Sequence, residues 1–174
     1  MKPQIDVVHD EGAIRERVQA LGRRIDAELA AEDPLVLSLI GGSLVLLADL
    51  LRAVSRPLRY ELIHVVYGTP QLDETLQIYF PFPIDVGGQS LLLLKDVAST
   101  GVIETYLSNE LRERGARAVR FAALIDVPSE RKTEFAVDYP LFTEERQGAF
   151  VGYGLKRDGR YGNLPFLGRI QDQR

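Results

Sequence analysis

Between Ser90 and Ile103 the chain reads SLLLLKDVASTGVI: an apolar run stops at Lys95-Asp96, and a turn of small residues, Ser99-Thr100-Gly101, opens a helix. A carboxylate at the end of a buried strand accepts hydrogen bonds from sugar hydroxyls, and the first amides of a helix, reinforced by its dipole, attract an anion. The stretch therefore has the outline of a phosphate-binding loop, with Lys95, Asp96, Ser99, Thr100 and Gly101 as candidate phosphate and ribose contacts. Lys95 reads as a solvated side chain, as one facing an anion, or as the partner of Asp96. The Ser99 hydroxyl does not ionise near neutrality, so it offers no general acid or base. A second turn, Gly41-Gly42-Ser43, follows the apolar run LVLSLI. It reads equally as a second anion loop or as a tight strand-to-helix turn with Ser43 as cap.

The remaining reactive side chains point elsewhere. His9 and His64 are isolated and have no metal-ligand spacing, and there is no cysteine, so no metal site is expected and thiolate chemistry and disulfides are excluded. Glu104, Glu110 and Glu113 read as the solvated face of the helix after the loop, and Tyr67 and Tyr153 as packing residues. Lys156, Arg157 and Arg160 flank Asp158-Gly159, a ready turn.

These residues need a frame. Ile14, Val18, Leu21, Ile25 and Leu29 recur at spacings of three and four, which predicts a helix with one apolar stripe. LVLSLI then reads as a buried strand and LVLLADLLRAV as a helix, followed by a strand over Tyr60–Tyr67. Thr75–Phe82 reads as a projecting hairpin or arm outside the main sheet. Ser90–Leu94, the helix Val102–Arg114 and the strand Ala118–Ile125 complete the alternation, which implies a parallel sheet with right-handed crossovers. Two short strands, Ala136–Leu141 and Phe150–Leu155, precede an irregular tail. In such sheets ligands sit at the carboxyl ends of the strands, so Gly41–Ser43, Tyr67–Thr69, Asp96–Gly101 and Ile125–Pro128 should converge on one pocket.

With 174 residues, 45% of them apolar, the chain supports a single domain over residues 1–174. Its charges of both signs are mixed and sum to −4, which argues against nucleic acid as a partner. The run Leu35–Val54 is broken by Gly41-Gly42, Asp49 and Arg52, so no membrane span is expected. The N-terminal MKPQIDVVHDEG has no apolar core of signal type, which points to the cytoplasm.

The blocks LIGGSLVLLADLLRAV, VVYGT, LLLLKDVASTG, ALIDVPSERK, VDYPLF, FVGYGL and RYGNLPFLG occur in the order seen in hypoxanthine-guanine phosphoribosyltransferases, over about residues 11–170. The chain resembles that family. The resemblance implies an α/β, type I phosphoribosyltransferase-like parallel sheet flanked by helices, with a small irregular hood from the termini. It further implies purine salvage, in which a purine displaces the pyrophosphate of phosphoribosyl pyrophosphate with magnesium, and assembly as a homodimer or homotetramer.

Several positions depart from the family pattern. Lys95 replaces the first acid of the ribose pair, Ser99 the Asp associated with proton transfer, and Ile103 the last phosphate-binding Thr. Gly41 stands for a pyrophosphate Lys, Ala136 for a purine-binding Lys, Lys156 for a magnesium Asp, and Gly162 for an Arg that nearby Arg160 could replace. Ala149 takes the place of the aromatic that stacks on the base, leaving Phe150 and Val151 as candidate base contacts. One lost proton-transfer group costs about a hundredfold to ten-thousandfold in rate. Losing several together predicts an impaired or inactive relative, a regulatory module that binds a phosphorylated small molecule or nucleotide without metal at Gly42, Ser43, Lys95, Thr100 and Gly101. The alternatives are an active purine phosphoribosyltransferase, using magnesium, in which Asp96, Ser99 and Thr100 suffice, and a purely structural subunit.

Overall fold

A computed structural model describes residues 4–67, 76–79, 84–145 and 148–171, with backbone alone for 66, 67 and 76–79. In chain order the elements are β1 (Ile5–His9), α1 (Glu11–Glu28), β2 (Leu35–Leu39), α2 (Ser43–Ala53), β3 (Arg59–Tyr67), β4 (Leu76–Tyr79), β5 (Ser90–Ala98), α3 (Val102–Glu113), β6 (Ala118–Asp126), β7 (Tyr139–Thr143), β8 (Phe150–Val151) and β9 (Leu167–Ile170).

The main sheet has the order β4-β3-β2-β5-β6-β7, parallel throughout except for the antiparallel edge pair β3/β4. Its central strands are apolar on both sides because both faces are covered. Val36, Leu92 and Leu94 pack with Ile14, Val18, Ile25, Leu46 and Leu50 of α1 and α2. Leu35, Leu37, Leu91 and Leu93, one residue out of phase, pack with Leu107 and Leu111 of α3. Helix α1 begins at Asp10, whose carboxylate accepts from the Ala13 amide at 2.8 Å. This is the expected parallel sheet flanked by helices.

Three expectations change. The arm does not stand clear of the sheet: its described part, β4, pairs with β3 from His64↔Tyr79 to Tyr67↔Leu76, while the rest of Thr75–Phe82 lies outside the described residues. The strand placed at Ala136–Leu141 starts at Tyr139, because the Asp138 carboxylate accepts the Phe121 amide at 2.8 Å, taking the bond a strand carbonyl would have made. The hood is regular: β1, β9 and β8 form a three-stranded antiparallel sheet, and only Phe150-Val151 of the expected Phe150–Leu155 strand belongs to it. Among the described residues no helix is long and apolar enough to cross a membrane.

The opposite, amino-terminal end of the sheet is tied by charge. Arg120 makes a two-pronged contact with Glu32 at 2.8 Å per bond, and Ser90 Oγ donates to the same carboxylate at 2.6 Å. The Arg120 hydrogen bonds, then that of Ser90, hold the Glu32 carboxyl below the ordinary glutamate range. A carboxyl whose pKa is depressed by folding stabilises the fold above its unfolded value, near pH 4.3, and loses that contribution as pH falls through the lower folded value. Arg120→Ala is therefore expected to cost about 1–2 kcal/mol at pH 7 and to flatten the acid side of the stability curve below about pH 4. Urea melts between pH 3 and 7 check this, and an unchanged acid slope would refute it.

Candidate functional site

Strand β5 runs past Leu94 and stays paired with β6 through Lys95↔Ala123, Val97↔Ile125 and Ala98↔Asp126. Lys95, Asp96 and Val97 are thus carried on strand backbone to the carboxyl end of the sheet. Lys95 Nζ lies 3.3 Å from Asp96 Oδ1, with the two side chains 15% and 28% exposed. The structure therefore contains the Lys95–Asp96 ion pair. Asp96 Oδ1 also accepts the Val97 amide at 2.8 Å, and Oδ2 faces the Gly41-Gly42 turn. A Cβ on Gly42 would come within 2.8 Å of Asp96 Oδ2 and of Leu155 Cδ2, so the turn approaches β5 and the hood only because it lacks side chains.

Gly101, at φ +77°, ends the β5–α3 turn and caps α3 without a side-chain hydrogen bond; Thr100 Oγ1 is 3.4 Å from the Val102 amide. Below this turn lies a residue the sequence did not single out. Arg131 donates from Nη1 to the carbonyls of Ala98, at 3.0 Å, and Ser99, from Nε to the Phe135 carbonyl at 3.1 Å, and from Nη2 to the Asp126 carboxylate. Its guanidinium sits 5.2 Å from the Phe135 ring centroid, and its Cδ fills the space beside Gly101. With both carbonyls bound by Arg131, the Ala98–Ser99 and Ser99–Thr100 peptide units are held in one orientation, and the Lys132 amide holds the Thr100 carbonyl at 2.9 Å. An Arg just past a buried strand's last Asp was the available signal, but only the turn at Pro128–Glu130 brings it back under β5.

Other candidates are placed differently. Ser43 is fully buried; its hydroxyl donates to the Leu39 carbonyl and lies 3.1 Å from Ser38 Oγ, so it neither caps α2 nor faces an anion, and Gly42 is the cap residue. Phe150 and Val151 are buried on β8 of the hood sheet, with Arg169 over the Phe150 ring at 4.6 Å, so neither offers an exposed side chain for a base contact. Ala149 is half-buried and Ala136 exposed. Glu104, read as part of a solvated face, is buried at the first turn of α3, where the dipole favours a carboxylate. Tyr153 packs as expected: its hydroxyl donates to Asp49 at 2.6 Å, and burial and that bond push its pKa well above the usual tyrosine value. Tyr67 has no described side chain, and Gly68–Pro70 lie outside the described residues. His64 is exposed on β3, and His9 stacks on Phe142 and meets Glu144 at 2.8 Å.

Two departures in the tail are coupled. A Cβ on Gly162 would lie 2.8 Å from Lys156 Cγ, so the lysine stem occupies room that a side chain at 162 would need. Arg157 and Arg160 pair through their backbones around Asp158 and Gly159, both left-handed, which makes this an exposed hairpin turn. The residues do not fit a protein-held magnesium ion. The turn's carboxylate already carries an ammonium, Lys156 is a cation, and among the described residues no group of three His, Cys, Asp or Glu gathers.

A parallel sheet with glycine turns and a carboxylate at its carboxyl ends, roofed by a small antiparallel sheet, defines the phosphoribosyltransferase class, and the family model of the phosphoribosyl transferase domain matches residues 4–158. The chain is 30% identical to the hypoxanthine-guanine phosphoribosyltransferase of Bacillus subtilis (strain 168), covering 98% of this chain and 96% of that one. It is 29% identical to the bifunctional protein TilS/HprT of Listeria monocytogenes over 96% of its own length, but spans only 26% of that longer relative. The crystal structure of a hypoxanthine-guanine phosphoribosyltransferase from Bacillus anthracis superposes with a TM-score of 0.87 at 22% identity, covering 98% of this chain and 100% of the other. The chain belongs to the hypoxanthine-guanine phosphoribosyltransferase family.

Proposed function

We propose that the site around Asp96, Thr100 and Gly101 binds a purine and a phosphoribosyl diphosphate and joins them into a nucleoside monophosphate, as a slow purine phosphoribosyltransferase. The carrying observation is the Asp96–Thr100–Gly101 turn, kept in strand register and braced by Arg131, in a chain similar over nearly its whole length to relatives named for that activity. In the reaction the bond from the ribose anomeric carbon to the diphosphate oxygen breaks, a bond to a purine ring nitrogen forms, and the proton of that nitrogen leaves. Asp96 accepts from the ribose hydroxyls, and the turn at Thr100-Gly101 holds the 5′-phosphate by its amides. Ser99 cannot take the purine proton at neutral pH, so the proton leaves to solvent, and the rate falls accordingly.

Turnover of radiolabelled hypoxanthine or guanine with phosphoribosyl pyrophosphate tests this, with an expected loss of at least tenfold in Asp96→Ala at unchanged melting temperature. A second reading, a module that binds nucleotide without transfer, is favoured by the Lys95–Asp96 ion pair, which competes with a ribose for the carboxylate. It would prevail if guanosine monophosphate bound while no turnover could be measured. The partner under either reading is a nucleotide-sized phosphate ester rather than nucleic acid, and a homodimer or homotetramer is the expected assembly.

A further inference from the structure

Lys95 places a positive charge on the Asp96 carboxylate at the carboxyl end of β5. A divalent cation serving a diphosphate is held through one or two carboxylates together with the phosphate oxygens. Here the carboxylate facing the Gly41-Gly42 turn is met by the Lys95 ammonium at 3.3 Å, both side chains are largely covered, and the strand pairing of β5 fixes their backbone. An ammonium has three donors. One is turned to Asp96, so two remain for an incoming anion.

Resting on the reading of these residues as a phosphoribosyl site, we propose that Lys95 takes the place of the divalent cation, so that the site recognises a diphosphate without magnesium. A magnesium-complexed diphosphate would bring its cation against the ammonium, and like charges in a partly covered site repel. Magnesium therefore leaves binding unchanged or weakens it. Lys95 becomes a specificity-determining residue that selects the metal-free form of the ligand.

Titration calorimetry on the full chain, with inorganic diphosphate and phosphoribosyl pyrophosphate in EDTA and in saturating magnesium, tests this directly. Binding in EDTA is expected to be at least as tight as in magnesium. Lys95→Glu should bind at least tenfold more weakly in EDTA and recover in magnesium, and Lys95→Gln should lose affinity in EDTA without such recovery. Binding of diphosphate by the unaltered chain only in magnesium would overturn the inference, as would Lys95→Gln binding in EDTA like the unaltered chain. Guanosine monophosphate, which has no diphosphate, separates the two levels. If it binds while diphosphate demands magnesium, the inference fails and the phosphoribosyl site stands; if nothing binds, both fail.

Discussion

Ser99→Asp is expected to raise the rate of nucleotide formation by about a hundredfold to ten-thousandfold, the span associated with one well-placed proton-transfer group. The geometry favours a gain over a disruption. Residue 99 follows the last paired residue of β5, and its carbonyl is already held by Arg131, so the backbone of the turn does not depend on the side chain it carries. A carboxylate there would accept the purine proton as the glycosidic bond forms, which a hydroxyl cannot do near neutrality. Initial rates with hypoxanthine and guanine, beside the affinity for guanosine monophosphate, check this. A gain in turnover with nucleotide affinity unchanged places the effect in the chemical step. A gain below tenfold in a folded, nucleotide-binding variant would mean that the missing acid is not what limits transfer.

Gly154→Ala should be strongly destabilising. Gly152, Tyr153 and Gly154 all have left-handed backbones, at φ +92°, +47° and +95°, and a Cβ at 154 would overlap the Gly42 carbonyl oxygen. The hood thus rests on the Gly41-Gly42 turn backbone against backbone, and nothing on either side can yield as the end of a side chain could. Left-handed strain with overpacking amounts to about 2–5 kcal/mol, a fall of roughly 5–15 °C in Tm for a domain of this size. Gly159→Ala is the control: its φ is +72°, but no atom lies within 4 Å of the added methyl, so about 1–2 kcal/mol of backbone strain is all it should cost. Equal melting temperatures for the two variants would remove the claim that hood and turn are in contact at Gly154. Because the same contact places Leu155 beside Gly42 and Asp96, Gly154→Ala should also weaken guanosine monophosphate binding, whereas Gly159→Ala should not.

The parallel sheet and the helix cover on both its faces were legible because they follow from short-range rules. Apolar runs that end in small residues make buried strands feeding helices, and a spacing of three and four fixes the α1 stripe. Lys95, Asp96, Thr100 and Gly101 stand where the pattern of strand, turn and helix puts them, and the Lys95–Asp96 pair was one of the outcomes the sequence left open beside a solvated lysine and one facing an anion. The roles of Ser43, Phe150 and Glu104 were not legible. Each depends on which way a side chain faces once distant segments meet: Ser43 turns inward to Leu39, Phe150 goes under Arg169, and Glu104 is covered when α3 docks.

What the sequence by itself determined is therefore the order of the elements, the turn that carries the charge change at Lys95, and the absence of an ionisable acid at Ser99. Only the tertiary structure decided that Arg131 braces that turn from five residues beyond β6, that the termini pair as a regular sheet, and that Gly154 meets Gly42. The physical reason is the range of the interactions. Periodicity and turn chemistry act within a few residues along the chain, while a guanidinium under a carbonyl, or two glycine backbones in contact, joins segments 30 to more than 100 residues apart and exists only after the sheet has assembled.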